Sequence, residues 1–191
     1  MRCMARLRGE NARGRLLDAA EALVARDGVA TLTLDRVAAE ARVSKGGLLY
    51  HFPSKDALIE GMVDRQLREF TDAIEAAEHV ERPGPGRRAR AMLRATFGPV
   101  TRAGERERRT TTALLAAAVN RPALLDPVRR AYRGWIKELE ADEIPAGRAI
   151  VVLAALDGMY FWSLLNLVDL GAAQARAVRG ALEALTRSPS S

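Results

Sequence analysis

The sequence predicts an all-α protein of about nine helices, and three observations carry that prediction. Apolar residues recur at helical spacing through almost all of the 191-residue chain. The breaks in that rhythm fall on stop and cap residues: Gly28, Thr33, Ser44, Pro53 with Ser54, and the segment ERPGPGRR from Glu81 to Arg88. Nothing reads as a strand.

The elements follow in order. Leu16, Leu17, Ala20, Leu23 and Val24 form the stripe of a first helix, and Gly28 is its left-handed stop. Thr33 caps a second helix of barely two turns carrying Leu34, Val37, Ala38 and Ala41. Ser44 caps a third, with Leu48 and Phe52 on its buried side, and Pro53 ends it near Phe52. From Ser54 a stripe of Ala57, Leu58, Met62, Val63, Leu67, Phe70 and Ile74 runs to about Val80, one long fourth helix. Beyond the Pro/Gly segment, helices are expected at 87–102, 105–119, 123–141, 146–168 and 172–187, and the closing SPSS as a disordered tail over 188–191.

Bulk properties narrow the function. One Cys and two His leave no disulfide, no cysteine metal cluster and little acid–base equipment, so neither metal, cofactor nor catalysis is expected. The first residues lack a signal-peptide core, and no apolar run of membrane-spanning length escapes an Asp, Asn or Arg, which predicts a cytoplasmic protein without a membrane partner. The net charge is +6, and residues 1–55 hold ten Arg or Lys against six Asp or Glu. Such a balance permits an anionic partner. Residues 82–109, with nine Arg against two Glu, read better as a solvated face.

The stretch VSKGGLLYHFPSKD contains an anomaly. Gly46 and Gly47 lie inside a short helix, where each costs roughly 1 kcal/mol against alanine. The small Ala38, the turn at Arg42 and Val43, and Leu48 give the spacing of a helix-turn-helix, whose second helix enters a major groove. Val37, Val43, Leu48 and Phe52 face inward, leaving Lys45, Gly46, Gly47, Leu49, Tyr50 and His51 outside. Two readings of the glycines stand: they let the backbone approach DNA, or they avoid a clash with the first helix.

TLTLDRVAAEARVSKGGLLYHFPSKDALI resembles the amino-terminal DNA-binding domain of the TetR family of transcriptional regulators, over about residues 10–60. The resemblance implies a helix-turn-helix domain at 1–56 and a regulatory and dimerisation domain at 57–187; the first of these includes a flexible basic arm at 1–9 with Arg2, Arg6 and Arg8. By position, Thr33, Arg36, Ser44, Lys45, Gly46, Gly47, Leu49, Tyr50, His51 and Lys55 form the DNA-contacting set. Lys55 also has a local reason, since the free amides of a helix start already favour a phosphate. Arg42 replaces the usual turn glycine and therefore needs a positive φ or a slightly different turn. Asp35 carries the wrong charge for DNA unless it accepts from a cytosine amine or orients Arg36 or Lys45.

The family resemblance implies a homodimer on a near-palindromic operator, released by a small-molecule effector and usually acting as a repressor. The segment AIVVLAALDGMYFWSLLNLVDL is apolar nearly all round, and the next helix is rich in Ala. Helices 146–168 and 172–187 are therefore expected to pair with a second copy, the alternative being a central helix buried in a monomer. Phe70, Met92, Phe97, Trp135, Tyr160 and Phe161, with polar Asp157 and Asn166, are the candidate effector contacts and favour a largely apolar ligand. The rival reading is an architectural, effector-independent helical DNA-binding protein.

Overall fold

The computed structural model describes the backbone of residues 2–97 and 103–187, with side chains for all of these except 2–11, 103–107, 109, 116, 119 and 120. Among the described residues there are nine α-helices and no strand: α1 (Arg2–Asp27), α2 (Leu34–Glu40), α3 (Lys45–His51), α4 (Lys55–Val80), α5 (Arg87–Phe97), α6 (Ala103–Asn120), α7 (Asp126–Glu140), α8 (Ala146–Leu164) and α9 (Ala172–Leu185). Short 3-10 turns lie at Val29–Thr31 and Pro122–Leu125.

Most of the expected punctuation holds. Gly28 follows α1 with φ 80°, and the hydroxyls of Thr33, Ser44 and Ser54 accept from the backbone N–H of Arg36, Gly47 and Ala57, capping α2, α3 and α4. Arg42 takes the positive φ its position demands, 53°. Three boundaries differ by three residues or more. Residues 2–9, expected as a flexible arm, are helical backbone within α1. The helix expected from 123 begins at Asp126, because Pro122–Leu125 tighten into a 3-10 turn and Pro127 fits only the first turn of an α-helix. The helix expected to reach 168 stops at Leu164, followed by Asn166 at φ 57°. The end of the helix expected over 87–102 and the tail at 188–191 lie outside the described residues.

The chain packs as two compact units, one within Met1–Gln66 and Arg102–Val128, the other within Leu67–Thr101 and Arg129–Ser191. The start of α4, up to Gln66, packs with the first unit, and α6 joins it through Leu114, Ala117 and Ala118. In that unit Leu16, Leu17, Leu23, Val37, Leu48, Phe52, Leu58, Ile59 and Met62 are buried together. Burying such side chains contributes about 1.5–3 kcal/mol each and holds the short α2 and α3, which could not persist alone. In the second unit Ile74, Met92, Leu93, Trp135, Leu139, Val152, Leu153 and Leu156 form a separate core.

α8 is not the wholly buried central helix of the monomer alternative. One side, Ala149, Val152, Leu153, Leu156 and Leu164, is buried; the other exposes Ile150, Val151, Phe161 and Trp162, and Tyr160, in line with Leu156 and Leu164, is also partly exposed. By length and composition α8 is also the one helix among those described that could cross a membrane.

Candidate DNA interface and effector site

The α2–α3 pair is fastened from below. Leu48 is fully buried, Ala38 lets the helices cross closely, and the Arg13 guanidinium sits 5.1 Å from the centre of the buried Phe52 ring. What α3 turns outward is therefore held in place by its apolar side. Tyr50 is 85% exposed and stands edge-on to His51, with ring centres 5.1 Å apart. Leu49, Ser44 and Lys45 are exposed as well.

The two glycines part company. A Cβ on Gly46 would meet nothing within 4 Å, so that backbone is bare toward open space. A Cβ on Gly47 would lie 2.9 Å from Val43 Cγ1 and 3.2 Å from Ser44 Oγ, inside the cap of its own helix. Gly47 thus has a packing reason, and the neighbour is the preceding turn rather than the first helix. The β-branched Val43 cannot swing aside freely.

The charges at this face are partly engaged by the protein itself. Arg36 is drawn back: its guanidinium donates to the Thr31 carbonyl at 2.9 Å and pairs with Asp27. Hydrogen bonds from Arg26 and then Arg36 hold the Asp27 carboxyl below its ordinary range. Lys45 Nζ lies 2.9 Å from Asp35 Oδ1, one of the orientations left open for that acid. Lys55 reaches the Ala30 carbonyl at 3.4 Å; burial first, then the Arg121 charge, push its ammonium down from its usual value. Arg121, at the end of α6, pairs with Asp56 and brings a cation beside Lys55 that no spacing rule could anticipate across 65 residues.

In the second unit, Phe70 meets Trp135 edge-on at 5.4 Å, Tyr132 meets Trp135 at 5.1 Å, and the Tyr132 hydroxyl donates to Asp157 Oδ1 at 2.7 Å. Burial pushes the Asp157 carboxyl up, offset only in part by the Tyr132 hydrogen bond. Burial and then that bond raise Tyr132 as well. Phe70, Trp135 and Asp157 are thus brought together. Tyr132 was missed, although its position three residues before Trp135 puts both on one face of α7. Met92 and Phe97 belong to the same core, Met92 fully buried. Phe161 and Asn166 are placed differently, exposed on or just beyond α8, whereas Tyr160, also partly exposed, lies near enough to Tyr132 to add to the rise of its hydroxyl.

A capped, apolar-backed helix that projects a lysine, a tyrosine and bare backbone beyond a tight turn defines a helix-turn-helix DNA-binding regulator. The comparisons agree. Residues 16–62 match the family of bacterial regulatory proteins, tetR family, and residues 86–187 match the tetracyclin repressor-like C-terminal domain. The HTH-type transcriptional regulator BetI of Paraburkholderia phymatum is 31% identical over 81% of this chain and 82% of its own. BetI 2 of Chromohalobacter salexigens is 29% identical over 86% and 83%. Among solved structures, the multidrug binding protein EbrR complexed with ethidium is 27% identical with a TM-score of 0.66, covering 92% of this chain and 99% of that one. A TetR-family member from Streptomyces coelicolor is 26% identical with a TM-score of 0.68 over 92% and 98%. The chain belongs to the TetR family of transcriptional regulators.

Proposed function

We propose that the protein is a ligand-responsive repressor that acts in the cytoplasm, without catalysis, as a homodimer on a near-palindromic operator. Thr33, Ser44, Lys45, Gly46, Leu49, Tyr50, His51 and Lys55 face the DNA in this reading, with Arg36 and Gly47 in supporting positions. The observation that carries it is the exposed outer side of α3, where Tyr50 stands 85% exposed beside the open backbone of Gly46. Two copies paired through α8 and α9 would set two such helices about 34–36 Å apart, one turn of the duplex.

The effector site we propose is the Phe70, Trp135 and Tyr132 group with Asp157, and with Met92 and Phe97 behind it. Rings in edge contact beside a half-buried carboxylate suit a small, largely apolar effector that is flat and carries positive charge. EbrR has been crystallised with ethidium, malachite green and imidazole, so these are the first probes for the present chain. Because α4 carries residues of both units, an effector that binds one position of α4 better than another would shift the head between states.

Gel-shift measurements on DNA flanking the protein's own gene test the operator reading, and no retarded band at low salt contradicts it. Calorimetric titration of the protein alone with malachite green tests the effector site. Heat of binding abolished by Trp135→Ala but not by Phe161→Ala supports it, and the reverse pattern contradicts it.

A further inference from the structure

Asp35 and Lys45 are joined at 2.9 Å across the two helices of the motif, yet their side chains remain 70% and 65% exposed. A surface pair in this setting contributes little to stability. Its interest lies in what it offers outward. The neighbouring Arg36 is committed to Asp27 and the Thr31 carbonyl, so the group this edge of the motif presents is a donor and an acceptor side by side, with no net charge.

A neutral pair is a poor phosphate clamp, because the Asp35 carboxylate repels the same phosphate that the Lys45 ammonium attracts. A base edge is different. In the major groove a G·C pair presents two adjacent acceptors, guanine N7 and O6, followed by one donor, the cytosine N4 amine. Lys45 complements the acceptors and Asp35 the donor. An A·T pair separates its two acceptors by the adenine amine and sets the thymine methyl next to them, which leaves the ammonium one acceptor and turns the carboxylate toward thymine O4.

We propose that Asp35 and Lys45 act together as the reader of one G·C pair in each half-site, with Lys45 donating to guanine and Asp35 accepting from cytosine. This rests on the reading of the chain as an operator-binding protein and adds a specificity determinant to it. Asp35 then raises discrimination while lowering general affinity, since it cancels a charge that would otherwise bind phosphate.

The test uses the full chain, wild type and the variants Asp35→Ala and Asp35→Asn, in selection from random duplexes followed by anisotropy titrations, with thermal melts as a check of folding. A wild-type site containing a fixed G·C pair is expected, and replacing that pair by A·T is expected to weaken binding about tenfold or more. In Asp35→Ala this preference falls to within about twofold, while binding to random duplex tightens and its salt dependence steepens by about one counter-ion per head. An unchanged base profile in both variants overturns the proposal, and a lower melting temperature with that same profile marks Asp35 as a stabiliser of the start of α2 only. Failure of the wild type to enrich any sequence would overturn the operator reading along with it.

Discussion

The head and the outer side of α8 both leave unusual groups in solvent, but of different kinds. Around α2 and α3, beside the exposed Leu49 and Tyr50, stand cations already met by the protein's own acids, Lys45 by Asp35 and, a step further in, Arg36 by Asp27. Along α8 they are large aromatic side chains, of which Phe161 and Trp162 are left more than two-fifths exposed by the described residues. The difference teaches what each surface waits for. Paired charges can exchange an internal partner for an external one at little net cost, whereas uncovered rings gain only by removal from water.

The largest expected effect comes from the apolar face. Replacing Phe161 and Trp162 together with Glu should leave the fold intact, since each residue is more than two-fifths exposed, but should convert the proposed dimer to monomer in sedimentation. Loss of the linked second head should weaken operator binding by about a hundredfold or more. A dimer that survives the double change would break the comparison, since the rings would then need no cover.

Within α3 a smaller contrast sharpens it. Leu48 is fully buried and Leu49 is 40% exposed. Leu48→Ala should cost about 2–5 kcal/mol in urea unfolding, and Leu49→Ala less than about 0.5 kcal/mol while still weakening DNA binding. Next in size, Gly47→Ala should cost about 1–3 kcal/mol, because the new methyl meets Val43 and Ser44 at the cap. Equal melting temperatures for Gly47→Ala and wild type would contradict that packing reason.

The smallest effect depends on pH. Burial raises the Asp157 carboxyl in the folded chain, so the native state holds its proton where the unfolded state has released it. Stability from this group is therefore full below the ordinary carboxylate range and declines as pH rises through the raised folded value. Asp157→Asn should melt higher than wild type at neutral pH and no higher at strongly acidic pH, as calorimetry would record. A variant that melts lower at neutral pH would mean that the charged form is favoured by its surroundings.

The head was largely legible because its signals are local. Caps at Thr33, Ser44 and Ser54, the stop at Gly28 and the positive φ at Arg42 are each fixed by residues within one turn. The unpredicted features join distant segments. Arg121 beside Asp56 and the packing of α6 into the first unit depend on how the chain returns, which no periodicity encodes. The effector candidates divided for the same reason: helical spacing identifies an apolar face, but only packing tells that Trp135 and Phe70 meet while Phe161 faces solvent. Gly47 shows the converse, a residue whose tight surroundings are local sterics at the cap of its own helix.

Gly46→Ala is the most direct test of the central claim, that α3 gives up stability so that bare backbone can reach a DNA groove. No atom stands within 4 Å of the added methyl, so the account expects unfolding free energy to rise by about 0.5–1 kcal/mol and operator affinity to fall in the same protein. A variant that is more stable and binds its operator as tightly as wild type would contradict it.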